Sequence, residues 1–153
     1  KLLSPDLNVF ISSSQEISEY TEKADVVIGA ALNRGSKAPY LVSESMVKKM
    51  QKGSVVVDVS IDQGGCIETS HPTSHSNPIF VIHGVIHYCV NNMPGAFPKT
   101  STIALSKATL PYLLKLANEG ISAFIEDKGL SLGINCYNGL ITNKSVSLSL
   151  GYD

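Results

Sequence analysis

Residues 54–65 read SVVVDVSIDQGG, and this stretch decides the fold class. Its first half is a run of β-branched side chains, typical of a strand buried on both faces, and its second half is typical of the loop that follows a strand. Residues 25–32 read DVVIGAAL and predict another buried strand. Between the two strands, Ser43 and Gly53 suit the two ends of a helix. This strand–helix–strand unit predicts parallel, neighbouring strands.

Further elements lie on either side of this unit. Residues 8–11 predict a short strand, and Ser13 followed by Glu16 matches a capping box that opens a helix. Residues 79–90 contain two apolar runs separated by Gly84, which we interpret as a pair of strands. Strands that alternate with helices are typical of an α/β fold with a parallel sheet.

The last third of the chain is predicted to be mainly helical. One helix runs from about residue 100 to about residue 107, and a second begins at Pro111 because proline breaks a continuous helix. A turn is predicted at Asn138–Gly139, and Thr142 is a possible cap of a last short helix. Sheet-like sequence gives way to helix between residues 94 and 102, which predicts a domain boundary there.

The composition narrows the class of protein. Of the 153 residues, 43% are hydrophobic and 16% are charged, which excludes a disordered chain and suits about one domain with its own core. Twelve basic and thirteen acidic residues give a net charge of -1, which argues against binding to nucleic acid or to an anionic membrane surface. No apolar run approaches the ~18 residues of a membrane span.

The three cysteines, Cys66, Cys89 and Cys136, fit neither a disulfide framework nor a paired zinc motif. We therefore expect a reducing, cytoplasmic location. Cys66 and Cys89 are interpreted as small buried side chains rather than nucleophiles. Because the first residue is Lys1, we expect the sequence to be a fragment of a longer protein.

Residues that follow the predicted strands are candidates for ligand binding, because open parallel sheets bind ligands beyond the carboxyl ends of their strands. Ser12 follows the first strand and could bind a ribose or a phosphate, although serine before a helix is also a common cap. Asp62 follows a buried strand and precedes two glycines, so it is predicted at the mouth of the sheet. It could orient a cationic group or relay a proton, and the alternative is an Asx turn that starts the loop.

The spacing of the histidines and acids argues against a metal site and against a carboxylate pair. If residues 79–90 are strands, His83 and His87 lie about 13 Å apart and cannot share an ion. On the same spacing, Asp58 lies about 13 Å from Asp62, too far for a paired-carboxylate mechanism. We predict no bound metal, and no GxGxxG, P-loop, GxSxG or HExxH motif is present.

Several strings in the sequence, taken together, closely resemble the alanine dehydrogenase family in order and spacing. They are DVVIGA at 25–30, KAP at 37–39, VDVSIDQGGC at 57–66, HYCVNNMPG at 87–95, TST at 100–102 and ATLPY at 108–112. The related transhydrogenase α subunits share the general plan but not the IDQGGC and HYCV–NMPG strings together.

The resemblance implies an incomplete Rossmann-like parallel sheet with flanking helices, which lacks the first βαβ unit and its glycine fingerprint. Residues 1–98 would form a partial NAD-binding domain, and residues 99–153 a helical segment that returns toward the substrate domain. The missing strands would lie between 8–11 and 26–30. We therefore expect those two segments to pair directly, or the chain to associate with copies of itself, or to fold poorly.

The resemblance also implies an activity, the NAD-dependent oxidative deamination of L-alanine to pyruvate and ammonium. Asp62 matches the family's catalytic aspartate of the DQGG loop, and Asn92 is assigned to the substrate. The positions that match the family's cofactor contacts are Ser12, Ala31, Leu32, Val59, Ser60, Ile61, Asp62, Val90, Asn91, Asn92 and Met93.

The family is typically hexameric, which implies a homo-oligomer. In the family, Asp62 would act with a histidine, an arginine and a lysine of the amino-terminal domain, so we expect this fragment to be inactive alone. Two alternatives stay open: a non-catalytic, partial dinucleotide-binding module completed by another chain, and an inactive remnant.

Overall fold

The computed structural model describes residues 7–152. Residues 1–6 and 153, which belong to the two predicted domains, lie outside the described residues, and the division at residues 98 and 99 stays a prediction. The helices and strands are α1 (Ser14–Lys23), β1 (Val26–Gly29), α2 (Glu44–Val47), β2 (Val55–Asp58), β3 (Ile79–Ile82), β4 (Val85–Tyr88), α3 (Pro98–Glu119), α4 (Ser122–Glu126), α5 (Lys128–Ser131), β5 (Cys136–Tyr137), β6 (Leu140–Ile141) and α6 (Lys144–Ser149).

The chain divides into two compact units. The first unit comprises the chain up to Ala31 together with Ala38–Asn91, and the second comprises Leu32–Lys37 together with the chain from Asn92 onward. Strands β1 to β4 and helices α1 and α2 belong to the first unit. Helices α3 to α6 and the β5–β6 hairpin belong to the second.

The sheet of the first unit has the strand order β1-β2-β4-β3. Strand β2 pairs in parallel with β1, with Val26 opposite Val55, and also in parallel with β4, with Val55 opposite Ile86. Strand β3 pairs with β4 in the antiparallel sense. The predicted α/β fold is therefore confirmed, and its sheet is parallel except for β3, which pairs in the antiparallel sense at one edge.

A tight turn joins β3 to β4. His83 and Gly84 both have positive φ, 54° and 80°, as a two-residue hairpin turn with the twist of its strands requires. His83 therefore lies in the turn rather than in a strand, so the strand spacing used to estimate its distance from His87 does not apply.

The core of the first unit lies on one face of the sheet. Its buried residues are Ala38, Val42, Val47, Met50, Val56, Cys66, Ile67 and Val85. The opposite face is different, because Val26, Ile28 and Val81 are 53%, 66% and 61% exposed. The sheet is thus well covered on one side only among the described residues.

The start of α1 follows the prediction. The hydroxyl of Ser13 accepts a hydrogen bond from the Glu16 N–H, and the Glu16 carboxylate accepts one from the Ser13 N–H, which completes the capping box. Ser43 caps α2 as predicted, but this helix already ends at Val47 and irregular turns lead from there to Gly53.

The strand predicted at residues 8–11 is wrong. This segment joins no strand, Ile11 is 96% exposed, and the ring of Phe10 stacks on Tyr20 at a centroid distance of 4.6 Å. A β-prone sequence forms a strand only with a paired neighbour, and here the Phe10 side chain packs on α1 instead. β1 is therefore an edge strand, and the expected direct pairing with residues 8–11 is absent.

Two predictions for the second unit are also corrected. Helix α3 continues through Pro111 instead of restarting there. Proline removes one backbone hydrogen bond, the bond to the carbonyl of Lys107. Because Lys107 is exposed, water can hydrogen-bond to that carbonyl instead. The last helix is capped by Asn143 rather than Thr142. The turn at Asn138–Gly139 is confirmed, with both residues at positive φ.

Candidate functional site

The carboxyl ends of three parallel strands meet at one edge of the sheet. β1, β2 and β4 run in the same direction, so the residues that follow each of them lie along that edge. These residues are Ala30 and Ala31 after β1, Val59–Gly65 after β2, and Cys89–Asn91 after β4.

The loop after β2 places Asp62 at this edge. The strand ends at Asp58, and a 3-10 helix follows at Val59–Gln63, in which Asp62 is exposed. Gly64 and Gly65 close the loop with φ of 94° and 78°, a conformation that favours glycine. Because the strand does not continue to Asp62, the strand spacing that predicts a separation of about 13 Å from Asp58 does not apply.

The carboxylate of Asp58 is fully buried and accepts hydrogen bonds from both ends of this loop. Oδ1 accepts from the Ser60 N–H at 3.0 Å, and Oδ2 accepts from the Cys66 N–H at 2.9 Å and the Ile67 N–H at 3.1 Å. The Cys66 thiol also donates to Oδ1, at 3.6 Å. One side chain therefore joins the start of the loop to its end.

Two contacts connect this loop with the end of β1. The Ser60 hydroxyl donates to the Ala31 carbonyl at 2.8 Å. Gly29 packs closely on Cys66, since a Cβ at this glycine would lie 2.5 Å from the thiol sulfur. Burial raises the pKa of the Cys66 thiol, and burial likewise raises the pKa of the Cys89 thiol. Both cysteines are buried side chains, as predicted.

The segment after β4 is held by the chain near Thr73. The Thr73 N–H donates to the Cys89 carbonyl at 2.9 Å, and the Asn91 N–H donates to the Thr73 carbonyl at 3.2 Å. Val90 is fully buried, whereas Asn91 is exposed. In the segment that follows β4, the exposed side chain at the edge of the sheet is therefore the amide of Asn91.

His87 lies within β4 and is fully buried. Its Nδ1 lies 3.0 Å from the Val85 carbonyl, so this nitrogen carries the proton, and Nε2, 2.7 Å from the Thr69 hydroxyl, accepts from that hydroxyl. The ring stacks on Phe80, which stacks in turn on His71. Burial lowers the pKa of His87, so its role is that of a neutral, structural side chain.

The predicted site residues are distributed over both units. Asp62 and Val59 are exposed at the sheet edge, while Ile61 and Val90 are buried, so a ligand would meet these two through their backbone. Those in the first unit are Ser12, Ala31, Val59, Ser60, Ile61, Asp62, Val90 and Asn91, and those in the second are Leu32, Asn92 and Met93.

Asn92 has an unusual backbone conformation. Its φ of 53° and ψ of 54° lie in the left-handed region, and a 3-10 helix follows at Met93–Ala96. Within the second unit, Asn92 lines a cavity of about 650 Å³ together with Pro94, Ser101 and Thr102. A non-glycine residue held in this conformation is common at binding sites.

Residues 7–152 offer neither a metal-binding cluster nor a membrane-spanning helix. No three His, Cys, Asp or Glu side chains in that range are grouped as ligands for a metal ion. α3 is the longest of the helices, yet neither it nor any other helix in the range has both the length and the hydropathy of a membrane span.

The hydrogen bonds of Asp58 go beyond what the sequence predicts, in which this residue is only a distant partner of Asp62. A carboxylate inside a β-branched strand gives no sign of which backbone groups it meets. A signal was present, since a buried carboxylate requires hydrogen-bond donors and a glycine pair at 64–65 allows the chain to return toward the strand end.

Comparison with known proteins decides the family. Residues 1–144 match the family described as "Alanine dehydrogenase/PNT, C-terminal domain". The chain belongs to this family. The C-terminal domain of the alanine dehydrogenase/PNT family binds NAD(P).

Curated relatives include "Alanine dehydrogenase 2" from Staphylococcus aureus strains USA300 and NCTC 8325. Each is 51% identical over 143 residues, which cover 92% of this chain and 38% of the relative. Among solved structures, an L-alanine dehydrogenase aligns with a TM-score of 0.79 and 46% identity, covering 97% of this chain and 41% of that one. A transhydrogenase from Sinorhizobium meliloti aligns with a TM-score of 0.64 and 25% identity, covering 88% and 36%. The chain thus spans well under half of each relative.

The residues at the carboxyl edge of the sheet fit a dinucleotide cofactor. Exposed side chains there include the carboxylate of Asp62 and the amide of Asn91, and the hydroxyl of Ser12 lines a groove beside the end of β1. Carboxylate, amide and hydroxyl groups are suited to hydrogen bonds with ribose hydroxyls and a carboxamide. Among the described residues, no thiol or imidazole side chains are grouped in a way that would suit a metal cofactor.

Proposed function

We propose that this chain is the NAD-binding portion of an NAD-dependent alanine dehydrogenase, which converts L-alanine to pyruvate and ammonium. The observation that carries the proposal is the position of Asp62, exposed at the carboxyl edge of a parallel sheet on a loop that Asp58 holds at both ends. Membership of the alanine dehydrogenase/PNT family supports it.

NAD⁺, when bound, would accept the hydride that leaves the alanine Cα. Asp62 orients the substrate ammonium group and passes the proton that nitrogen loses to solvent, and water then hydrolyses the resulting imine to pyruvate and ammonium. Ser12, Ser60 and the segments 31–32, 59–61 and 90–93 contact the cofactor, and Asn92 also contacts the substrate. Because Ser60 already donates its hydroxyl to Ala31, it positions the end of β1 beside the loop as well.

Alanine turnover is proposed for the longer protein, since the chain spans 38% of its curated relatives. The short coverage also favours a second candidate, a dinucleotide-binding module without turnover that another polypeptide completes. For the enzyme we propose a homo-oligomer in the cytoplasm, in keeping with the three free cysteines.

Two measurements test these proposals. Titration of the folded chain with NAD⁺ by calorimetry is expected to show saturable binding, and its absence would refute the proposed cofactor site. Addition of L-alanine and NAD⁺ to a longer polypeptide that carries this sequence reports turnover through the absorbance of NADH. Turnover there supports the enzyme, and NAD⁺ binding without turnover there supports the module.

A further inference from the structure

The hydrogen bonds of Asp58 are directed at backbone groups of one loop. A buried carboxylate is costly unless donors satisfy it, and here three backbone N–H groups of residues 60, 66 and 67 do so. Hydrogen bonds to an ionised group are about twice as strong as neutral ones. The charge of Asp58 therefore stabilises one particular path of the backbone from Ser60 to Ile67.

The loop is shaped to meet this carboxylate. A Cβ at Gly65 would lie 2.9 Å from Asp58 Oδ2, so the closeness of loop and carboxylate depends on glycine at this position. Gly65 also donates its N–H to the Ser60 carbonyl at 3.0 Å. The contact between Asp58 and the loop is thus tight at Oδ2, the oxygen that accepts from the Cys66 and Ile67 N–H groups.

Asp62 lies between the two anchored ends. It is two residues after Ser60 and four before Cys66, and both of these donate to Asp58. The Asp62 side chain is exposed. Its backbone is held on both sides through its neighbours, whose N–H groups donate to Asp58.

We propose that Asp58 is a positioning residue, which acts through the backbone of residues 60–67 to hold Asp62 and the adjoining cofactor contacts in place. The inference rests on the proposed function for the role of Asp62. The holding of the loop itself is independent of any ligand.

The direct test is Asp58→Asn in the full chain. The carboxamide keeps the size of the side chain, but its NH₂ group cannot accept a hydrogen bond from the loop. We expect the N–H order parameter of Asp62 to fall from about 0.85 to below about 0.6. Amide exchange at residues 60–67 should become faster while β4 keeps its protection, and the Kd for NAD⁺ should rise about tenfold.

Asp25→Asn is the matched control. It makes the same chemical change at an exposed aspartate directly before β1, and we expect it to leave the Asp62 order parameter, loop exchange and Kd unchanged. All measurements are made where circular dichroism shows the variants fully folded, so that a general loss of stability does not enter. Wild-type loop order in folded Asp58→Asn would overturn the proposal.

A second pair of variants covers the case in which Asp58→Asn does not fold. Gly65→Ala introduces a Cβ against the Asp58 carboxylate, whereas Gly53→Ala has a similar positive φ with no atom within 4 Å of the new Cβ. We expect only Gly65→Ala to loosen residues 60–67, and equal loop behaviour in both variants would refute the role of Asp58. If the wild-type chain does not bind NAD⁺, the proposed function fails, while the loop measurements still decide this proposal.

Discussion

Asp58 and Asp62 carry the same side chain, and their surroundings give them different roles. Asp58 is fully buried and accepts backbone hydrogen bonds, whereas Asp62 is exposed on the loop that those bonds hold. The exposed position of Asp62 at the carboxyl edge of the sheet could be predicted from its place after a buried strand. The role of Asp58 could not, because it depends on the return of residues 66 and 67 to the strand end.

The role proposed for Asp62 predicts the result of Asp62→Asn in a catalytically active polypeptide that carries this sequence. The amide keeps the shape of the side chain but cannot relay a proton, so kcat should fall by about two orders of magnitude or more, with an unchanged circular dichroism spectrum. Steady-state kinetics measure the change, with Asp25→Asn as the control. Unchanged turnover would remove Asp62 from the mechanism.

Burial of His87 predicts a loss of stability in acid. Its pKa is lowered in the folded chain, so below the ordinary histidine value of about 6.5 the unfolded chain binds a proton that the folded chain does not. Stability is therefore present above that pH and is lost as the pH falls through it. Between about pH 7.5 and about pH 5.5, we expect the free energy of unfolding to drop by up to about 1 kcal/mol through this group.

Urea unfolding of His87→Gln and of the wild type across this pH range tests the attribution to His87. His87→Gln should show a shallower dependence. Equal pH dependence in His87→Gln and the wild type would contradict the assignment to His87.

Among the elements, the N-terminal caps of α1 and α2 followed the sequence, whereas the strand at 8–11 and the break at Pro111 did not. The capping box of α1 was predictable because it needs only two side chains at a fixed spacing. The strand at 8–11 and the break at Pro111 were not, since the first depends on a distant pairing partner and the second on solvent access to a freed carbonyl. The sequence was sufficient to predict features that depend on residues close together in the chain, and insufficient for features that depend on distant partners or on solvent.

Ser13→Ala should remove the capping box of α1 and lower the free energy of unfolding by about 1 kcal/mol. Ser14→Ala, at the first helical position, is the control and should have a much smaller effect. Urea titration followed by circular dichroism compares the two. A loss in Ser14→Ala as large as that in Ser13→Ala would show that the cap is not the cause.

Pro111→Ala should strengthen α3, because an interior proline costs up to about 3 kcal/mol and alanine restores the missing backbone hydrogen bond. Pro98→Ala is the control, since Pro98 occupies the first position of the helix, where proline is tolerated. Amide exchange within α3 is the measurement. Greater protection is expected in Pro111→Ala alone, and equal protection in both variants would contradict this interpretation.

For the molecule as a whole, the sheet of the first unit leaves an apolar face and an edge strand exposed. Ile28 and Val81 are more than half exposed on that face, and β1 is at the edge of the sheet. Such surfaces favour association, and a net charge of -1 opposes it only weakly.

We therefore expect this chain to associate with itself, with an apparent mass above 16.3 kDa that rises with concentration in analytical ultracentrifugation. The double variant Ile28→Lys/Val81→Lys should return the mass toward that of the monomer. Leu132→Lys is the control, because Leu132 is 74% exposed but belongs to the second unit. A wild-type chain that stays monomeric at all concentrations would contradict this expectation.

The path of the chain between its two units limits how it can be divided. The chain passes from one unit to the other after Ala31, after Lys37 and after Asn91. Within the second unit, Gly35 packs against α6 so closely that a Cβ there would lie 3.0 Å from the Ser145 Cβ. A truncation ending at Asn91 would therefore remove the packing partners of residues 32–37. Proteolytic cleavage after Asn91 would leave two pieces that are still held together by the packing of residues 32–37 within the second unit.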